Sequence, residues 1–172
     1  MKAIVYTSNT GSAASYAALL SDKTALPAYS LAEAKKQLCA GDEIIYLGWL
    51  MAGGIKGYKS ASRRFRVRAV CAVGMSVTGD RTEPVREQNA VPGEIPLFTL
   101  QGNFDLNALR GAYKLMMKIM VRALSENLAK KTDRTPEEDD MLDMLLHGGE
   151  RVSPENLKDV LDWYGKAVAD RG

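Results

Sequence analysis

The first twenty residues constrain this chain more than any other stretch. Residues 2–6 are a short apolar run carrying the β-branched pair Ile4 and Val5; residues 7–12 are small and polar; residues 13–20 are rich in Ala and Leu. A buried strand that passes through a tight turn straight into a helix is the opening of a βαβ unit, and such units build parallel sheets.

The same alternation continues. Residues 24–29 read as a weak strand broken by Pro27, which suits a sheet edge. Ser30 is placed to cap a helix over 31–38. Residues 43–47 are apolar on both faces and read as a central strand. Residues 48–57, with Gly48, Gly53, Gly54 and Gly57, are expected to be a loop before a helix over 58–65. A strand over 68–74, a loop over 75–81, a helix over 82–90 and a strand over 95–100 follow.

After that the pattern is purely helical. Asp105 is a good N-cap, and Phe104 with Leu109 forms a hydrophobic staple. Leu106, Leu109, Tyr113, Met116, Met117, Met120, Leu124 and Leu128 mark one apolar face at helical spacing. Its methionines suit a soft binding surface or a core, and core packing is the expectation. Thr135, Pro136 and Glu138 make a capping box that opens a helix closed by Gly148 and Gly149. Ser153 and Pro154 open a last helix. The expectation is one α/β domain over 1–172, a doubly wound parallel sheet of five strands, with residues 132–172 a C-terminal helical extension.

Composition narrows the function. The hydrophobic fraction is 46% and the longest apolar runs are strand-sized, so no membrane span is expected. The N-terminus enters its first strand without a secretory h-region, which points to the cytoplasm. Cys39 and Cys71 lack metal-ligand spacing and read as reduced thiols. The formal net charge is only +2, but it is unevenly spread. Lys56, Lys59, Arg63, Arg64, Arg66 and Arg68 crowd one stretch; Asp133, Glu137, Glu138, Asp139, Asp140 and Asp143 crowd another. Two solvated faces are one reading, and a basic surface for an acidic partner is the other. Only Phe65 interleaves the basic run, so a nucleic-acid stacking platform is not expected. His147 reads as a solvated helix-end residue.

Ligands of such sheets bind outside the carboxyl ends of the strands. The turn over 7–12 and the loops over 48–57 and 75–81 all fall on that edge. The turn offers hydroxyls from Thr7, Ser8, Thr10 and Ser12, the amide of Asn9, and a glycine, Gly11, past which an anion can approach backbone N–H groups at a helix N-terminus. It contains no Lys or Arg, so it would hold a phosphate monoester by hydrogen bonds alone. Neither a Walker A ending nor a GxGxxG fingerprint is present. Phosphatase or response-regulator chemistry is disfavoured, since no acidic pair follows the first strand and no Cys sits in the turn.

The stretch from Tyr6 through Ser12 resembles the phosphate-binding signature of flavodoxins. Ser8, Thr10 and Gly11 match family positions, while the third family hydroxyl falls on Ala13. The stretches over 46–57 and 100–105 are similar to those of bacterial flavodoxin-domain proteins, and together the likeness reaches about Leu128. The resemblance implies a flavodoxin-like sheet of order 2-1-3-4-5 and noncovalent FMN as an electron-transferring cofactor. The phosphate would lie on residues 7–13, that is Thr7, Ser8, Asn9, Thr10, Gly11, Ser12 and Ala13. The ring would lie among Gly48, Trp49, Leu50, Met51, Ala52, Gly53 and Gly54 on one side and Gly74, Met75, Ser76, Val77 and Gly79 on the other. Trp49 or Tyr58 would stack on it. The implied partner is a redox protein or a small-molecule electron acceptor, a quinone among the candidates. Electron-shuttling flavodoxins are strongly acidic and this chain is not. Ala13 and the lack of an aromatic residue in the loop over 75–80 motivate the competing reading: a flavin-free interaction module that works through the basic surface around residues 56–68.

Overall fold

The computed structural model describes residues 1–104 and 111–169. β1 (Ala3–Thr7), α1 (Ser12–Thr24), β2 (Ala28–Ser30), α2 (Leu31–Gln37), β3 (Glu43–Met51), β4 (Gly54–Ile55), α3 (Tyr58–Ser62), β5 (Arg66–Gly74), α4 (Thr82–Asn89) and β6 (Leu97–Gln101) follow in order. Then come α5 (Gly111–Lys130), α6 (Pro136–His147), a 3₁₀ turn (Pro154–Leu157) and α7 (Lys158–Ala169). The Asp105 cap, Leu106 and the Leu109 half of the expected staple lie outside the described residues. Among the described residues no helix is long and apolar enough to cross a membrane.

The sheet is six-stranded. β2, β1, β3, β5 and β6 lie side by side in that order and pair in parallel, and β4 pairs antiparallel with β3. The expected order 2-1-3-4-5 of a five-stranded sheet is therefore not matched as it stands. The sixth strand accounts for the difference. Residues 48–51, expected in a loop, belong to β3, which runs beyond its parallel partner β1 from Trp49 on, and Ala52 and Gly53 turn the chain back into β4. Both turn residues have positive φ, 49° and 77°, as a two-residue hairpin turn of this hand requires. The usual Asn-Gly or Asp-Gly signal is missing, which is why the hairpin is hard to see in the sequence.

Strand alternation sends neighbouring side chains to opposite faces. Ile4, Ile45, Leu47, Ala69 and Cys71 meet Ala13, Tyr16, Ala17 and Leu20 of α1, together with Leu157 and Val160. Val5, Ile44, Tyr46, Val70 and Ala72 meet Ala34 of α2, Tyr58 and Ala61 of α3, and Val85 of α4. Helices thus cover both faces. Pro27 precedes edge strand β2, where only its carbonyl is needed; it accepts from the Ile4 N–H at 2.9 Å. Ser30 and Glu33 complete a capping box on α2, and Thr135 and Glu138 complete one on α6.

A third cluster lies beyond the carboxyl end of the sheet. Phe104, Met117, Val121, Met144 and Leu145 bury one another where α5 and α6 pack together. Polar ties hold this helical pair to the sheet. Gln101 Nε2 donates to Asp140 Oδ2 at 2.8 Å, and Asn103 Oδ1 accepts from the N–H groups of Arg151 at 2.6 Å and Val152 at 2.8 Å.

Candidate functional site

The carboxyl ends of β1, β3 and β5 deliver their following segments to one place, and α5 closes over it. The result is a cavity of about 540 Å³. That volume is in the range of small-molecule sites. Its polar end is Ser8, Asn9, Thr10 and Ser12, at the start of α1; Asn103 adds an amide. Its body is Trp49, Leu50, Met51, Val73, Met75 and Phe104, roofed by Met116, Met117, Ile119 and Met120. Among the described residues no Asp, Glu, Lys or Arg side chain lines it.

The turn reaches its shape through a few specific bonds. Gly11 caps α1 with φ 101°, a conformation that costs a residue with a Cβ, and no side chain caps the helix. Its N–H donates to Ser8 Oγ at 3.2 Å. Ser12 is buried, and its Oγ accepts from the Asn103 N–H at 3.0 Å, which ties the turn to the segment after β6. Thr7 is committed elsewhere. The Tyr46 phenol donates its only proton to the Lys56 carbonyl at 2.6 Å, so the 2.8 Å contact between Thr7 Oγ1 and Tyr46 Oη is a donation from Thr7. Burial pushes the Tyr46 phenol up to about 12, against the bond from Thr7. Gly57 lies against both oxygens with φ 81°, and a Cβ there would overlap them.

The residues expected at the site divide three ways. Ser8, Asn9, Thr10, Ser12, Ala13, Trp49, Leu50, Met51, Ala52, Gly74 and Met75 line the cavity. Gly53 and Ser76 line an adjoining cleft of about 370 Å³ that shares Leu50, Ala52 and Gly74 with it, so the two form one extended site. Thr7, Gly11, Gly48, Gly54, Val77 and Gly79 line neither. Gly48 is a β3 residue packed against Ile55 and the Lys56 carbonyl. The loop after β5 folds onto β6, where the Gly79 N–H donates to the Thr99 carbonyl at 3.0 Å and Thr99 Oγ1 donates to the Asp80 carbonyl at 2.7 Å.

Two expectations about aromatic and methionine side chains need correction. Tyr58 is buried in the core on the α3 side, its ring centroid 6.3 Å from that of Tyr46, and is no stacking partner for a ligand in the cavity. Trp49 does line it, with Lys56 Nζ 5.9 Å from its ring centroid. Met117 packs in the core as expected, but Met116 and Met120 are exposed and belong to the cavity wall. Asn103, Phe104 and Ile119 were not anticipated at the site. The methionine spacing was the signal, and nothing in it showed which side of the helix faces the sheet.

The two charged stretches also differ. The acidic one is largely paired within the molecule: Glu138 with Lys131, Asp139 with Arg134, Asp140 and Asp143 with Arg151, and Asp143 also with the His147 ring at 2.9 Å. In the basic one, Arg64 donates to the Lys35 carbonyl at 2.9 Å and Arg66 and Arg68 share Glu43. Lys59, Arg63, Arg66 and Arg68 line a groove of about 800 Å³ at the amino ends of β5 and β6, the opposite edge of the sheet.

Fold and site together define an α/β protein with a parallel sheet and, at the carboxyl edge of its strands, a cavity that no charged side chain lines among the described residues. Comparison of the chain with protein-family models, with curated proteins and with solved structures finds no match.

Proposed function

We propose that the chain is a flavodoxin-like protein that binds FMN noncovalently and transfers electrons through it. The observation that carries this reading is the polarity of the cavity. One end offers hydroxyl and amide groups at an uncapped helix N-terminus, and the rest is apolar and methionine-rich. A flat aromatic body with a phosphorylated tail has the same division. The donor set fits such a tail: Ser8 and Thr10 as hydroxyls, the first-turn N–H groups of α1, and the helix dipole. Ala13, where the resemblance expects a hydroxyl, is buried against the sheet, and Ser12 is the adjacent hydroxyl in the wall.

Bound FMN would supply the redox chemistry. The chain's own residues would bind and shield it: Ser8 and Thr10 would orient the phosphate, Trp49 would stand beside the ring, and Met116, Ile119 and Met120 would exclude water. Hydrogen bonds to charged groups are worth ~1.5–3 kcal/mol, so Ser8→Ala and Thr10→Ala should each weaken FMN binding about tenfold or more. Flavin fluorescence during titration reads this. Equal affinity in wild type and the double variant would remove the phosphate from this turn.

A second reading rests on the basic groove. A flavin-free module would use Lys59, Arg63 and Arg66 to hold an acidic partner. Changing these three to Glu should abolish that contact in a pull-down; Arg64 is unsuitable for the test, since it holds α2.

A further inference from the structure

We infer that α5 is a membrane-surface helix that docks the protein onto an anionic lipid bilayer, with the cavity mouth turned to the lipid. The inference uses α5 itself and holds whatever the cavity binds.

The helix buries Met117 and Val121 against α6 and leaves its other side apolar and open. Leu115 and Ile119 are 63% and 65% exposed; Met116, Met120 and Leu124 are 45%, 42% and 38% exposed. Large apolar side chains grouped this way on a surface mark a place where something apolar belongs. Residues three and four apart are neighbours on a helix, so these side chains form adjoining rows. Leu115 and Ile119 make the outermost row. Met116 and Met120 lie on one side of it and reach the cavity. Lys118 and Arg122 lie on the other side, three residues on from Leu115 and Ile119. Ile119 is both exposed and part of the cavity wall, so the cavity opens at this stripe.

Charge selects the occupant. Along its exposed edge α5 carries Lys118 and Arg122, with Lys130 at its end, against one acid, Glu126, which pairs with Arg122 at 2.9 Å. An apolar row bordered by cations is the pattern that enters the headgroup region of an anionic bilayer. A second copy fits less well, since antiparallel two-fold pairing of α5 would set the Lys118 and Arg122 edge against itself.

Co-sedimentation with vesicles tests this. The full chain is mixed with vesicles of phosphatidylcholine alone and of phosphatidylcholine with about one third phosphatidylglycerol. Binding to the anionic vesicles should exceed binding to the neutral ones about tenfold and fall with added salt. Leu115→Glu with Ile119→Glu should abolish it, and Lys118→Glu with Arg122→Glu should weaken it and flatten its salt dependence. All four side chains are exposed, so circular dichroism and thermal melting should stay at wild-type values. Absence of binding to anionic vesicles, or binding indifferent to the Leu115 and Ile119 changes, overturns the proposal. So does a concentration-dependent dimer, seen by sedimentation velocity without vesicle binding, that those changes dissolve.

Discussion

Cys71 lies in the middle of β5 with no exposed surface, and burial pushes its thiol up to about 12. Cys39 is exposed. A thiol reagent should therefore label one cysteine rapidly in the native protein and the second only on unfolding, and stopped-flow labelling with an aromatic disulfide checks it. The same shift makes stability depend on pH. In the unfolded chain Cys71 ionises near 9.0 and Tyr46 near 10.0, whereas both are held up to about 12 in the fold. Raised folded values mean that the contribution is complete below about pH 9 and is lost as pH rises toward 12. Urea midpoints measured across that window should fall, and Cys71→Ala should flatten the first part of the decline. Ala25 offers the opposite kind of change. It ends α1 in a left-handed conformation, φ 56°, and is exposed. Ala25→Gly should stabilise the protein by up to about 1 kcal/mol, read by chemical denaturation.

At the scale of elements, legibility followed the chemistry of the ends. Helices with explicit caps are plain in the sequence: Ser30, and Thr135 with Pro136 and Glu138, stand where the structure puts them. Elements fixed by tertiary contact were not. β4 has two residues and no turn signal, and it exists because Ile55 packs on β3 and its N–H donates to the Asn89 side chain at 2.7 Å. The strand expected over 68–74 starts two residues earlier, because Arg66 looks like surface until Glu43, which it shares with Arg68, is seen beside it. Gly57 is where this hairpin region is least tolerant. Its positive φ and its contact with Tyr46 Oη and Thr7 Oγ1 leave no room for a Cβ. Gly57→Ala should cost about 2 kcal/mol or more in denaturant unfolding, whereas Thr135→Ala, which removes only a cap, should cost about 1 kcal/mol.

For the molecule as a whole, alternation of strands and helices announced the parallel sheet, and the sheet then dictated where a cavity had to form. The polar turn and the loop after β3 could be assigned to that edge from the sequence alone. The roof could not. The faces of α5 are decided by how it meets α6 and Phe104, contacts far apart in sequence, and so methionines expected in the core form the cavity wall instead. The charged stretches show the same limit: sequence gives their sign, while only the fold shows that the acids are mostly paired internally and that the basic groove stands at the far edge of the sheet. The measurement that bears most directly on the account is a visible absorption spectrum of the purified protein, followed by titration with FMN and with riboflavin. A flavin spectrum or saturable FMN binding is expected, with riboflavin bound at least about tenfold more weakly because it lacks the phosphate proposed to lie on the turn. A colourless protein that ignores FMN, or one that binds both flavins equally, would contradict it.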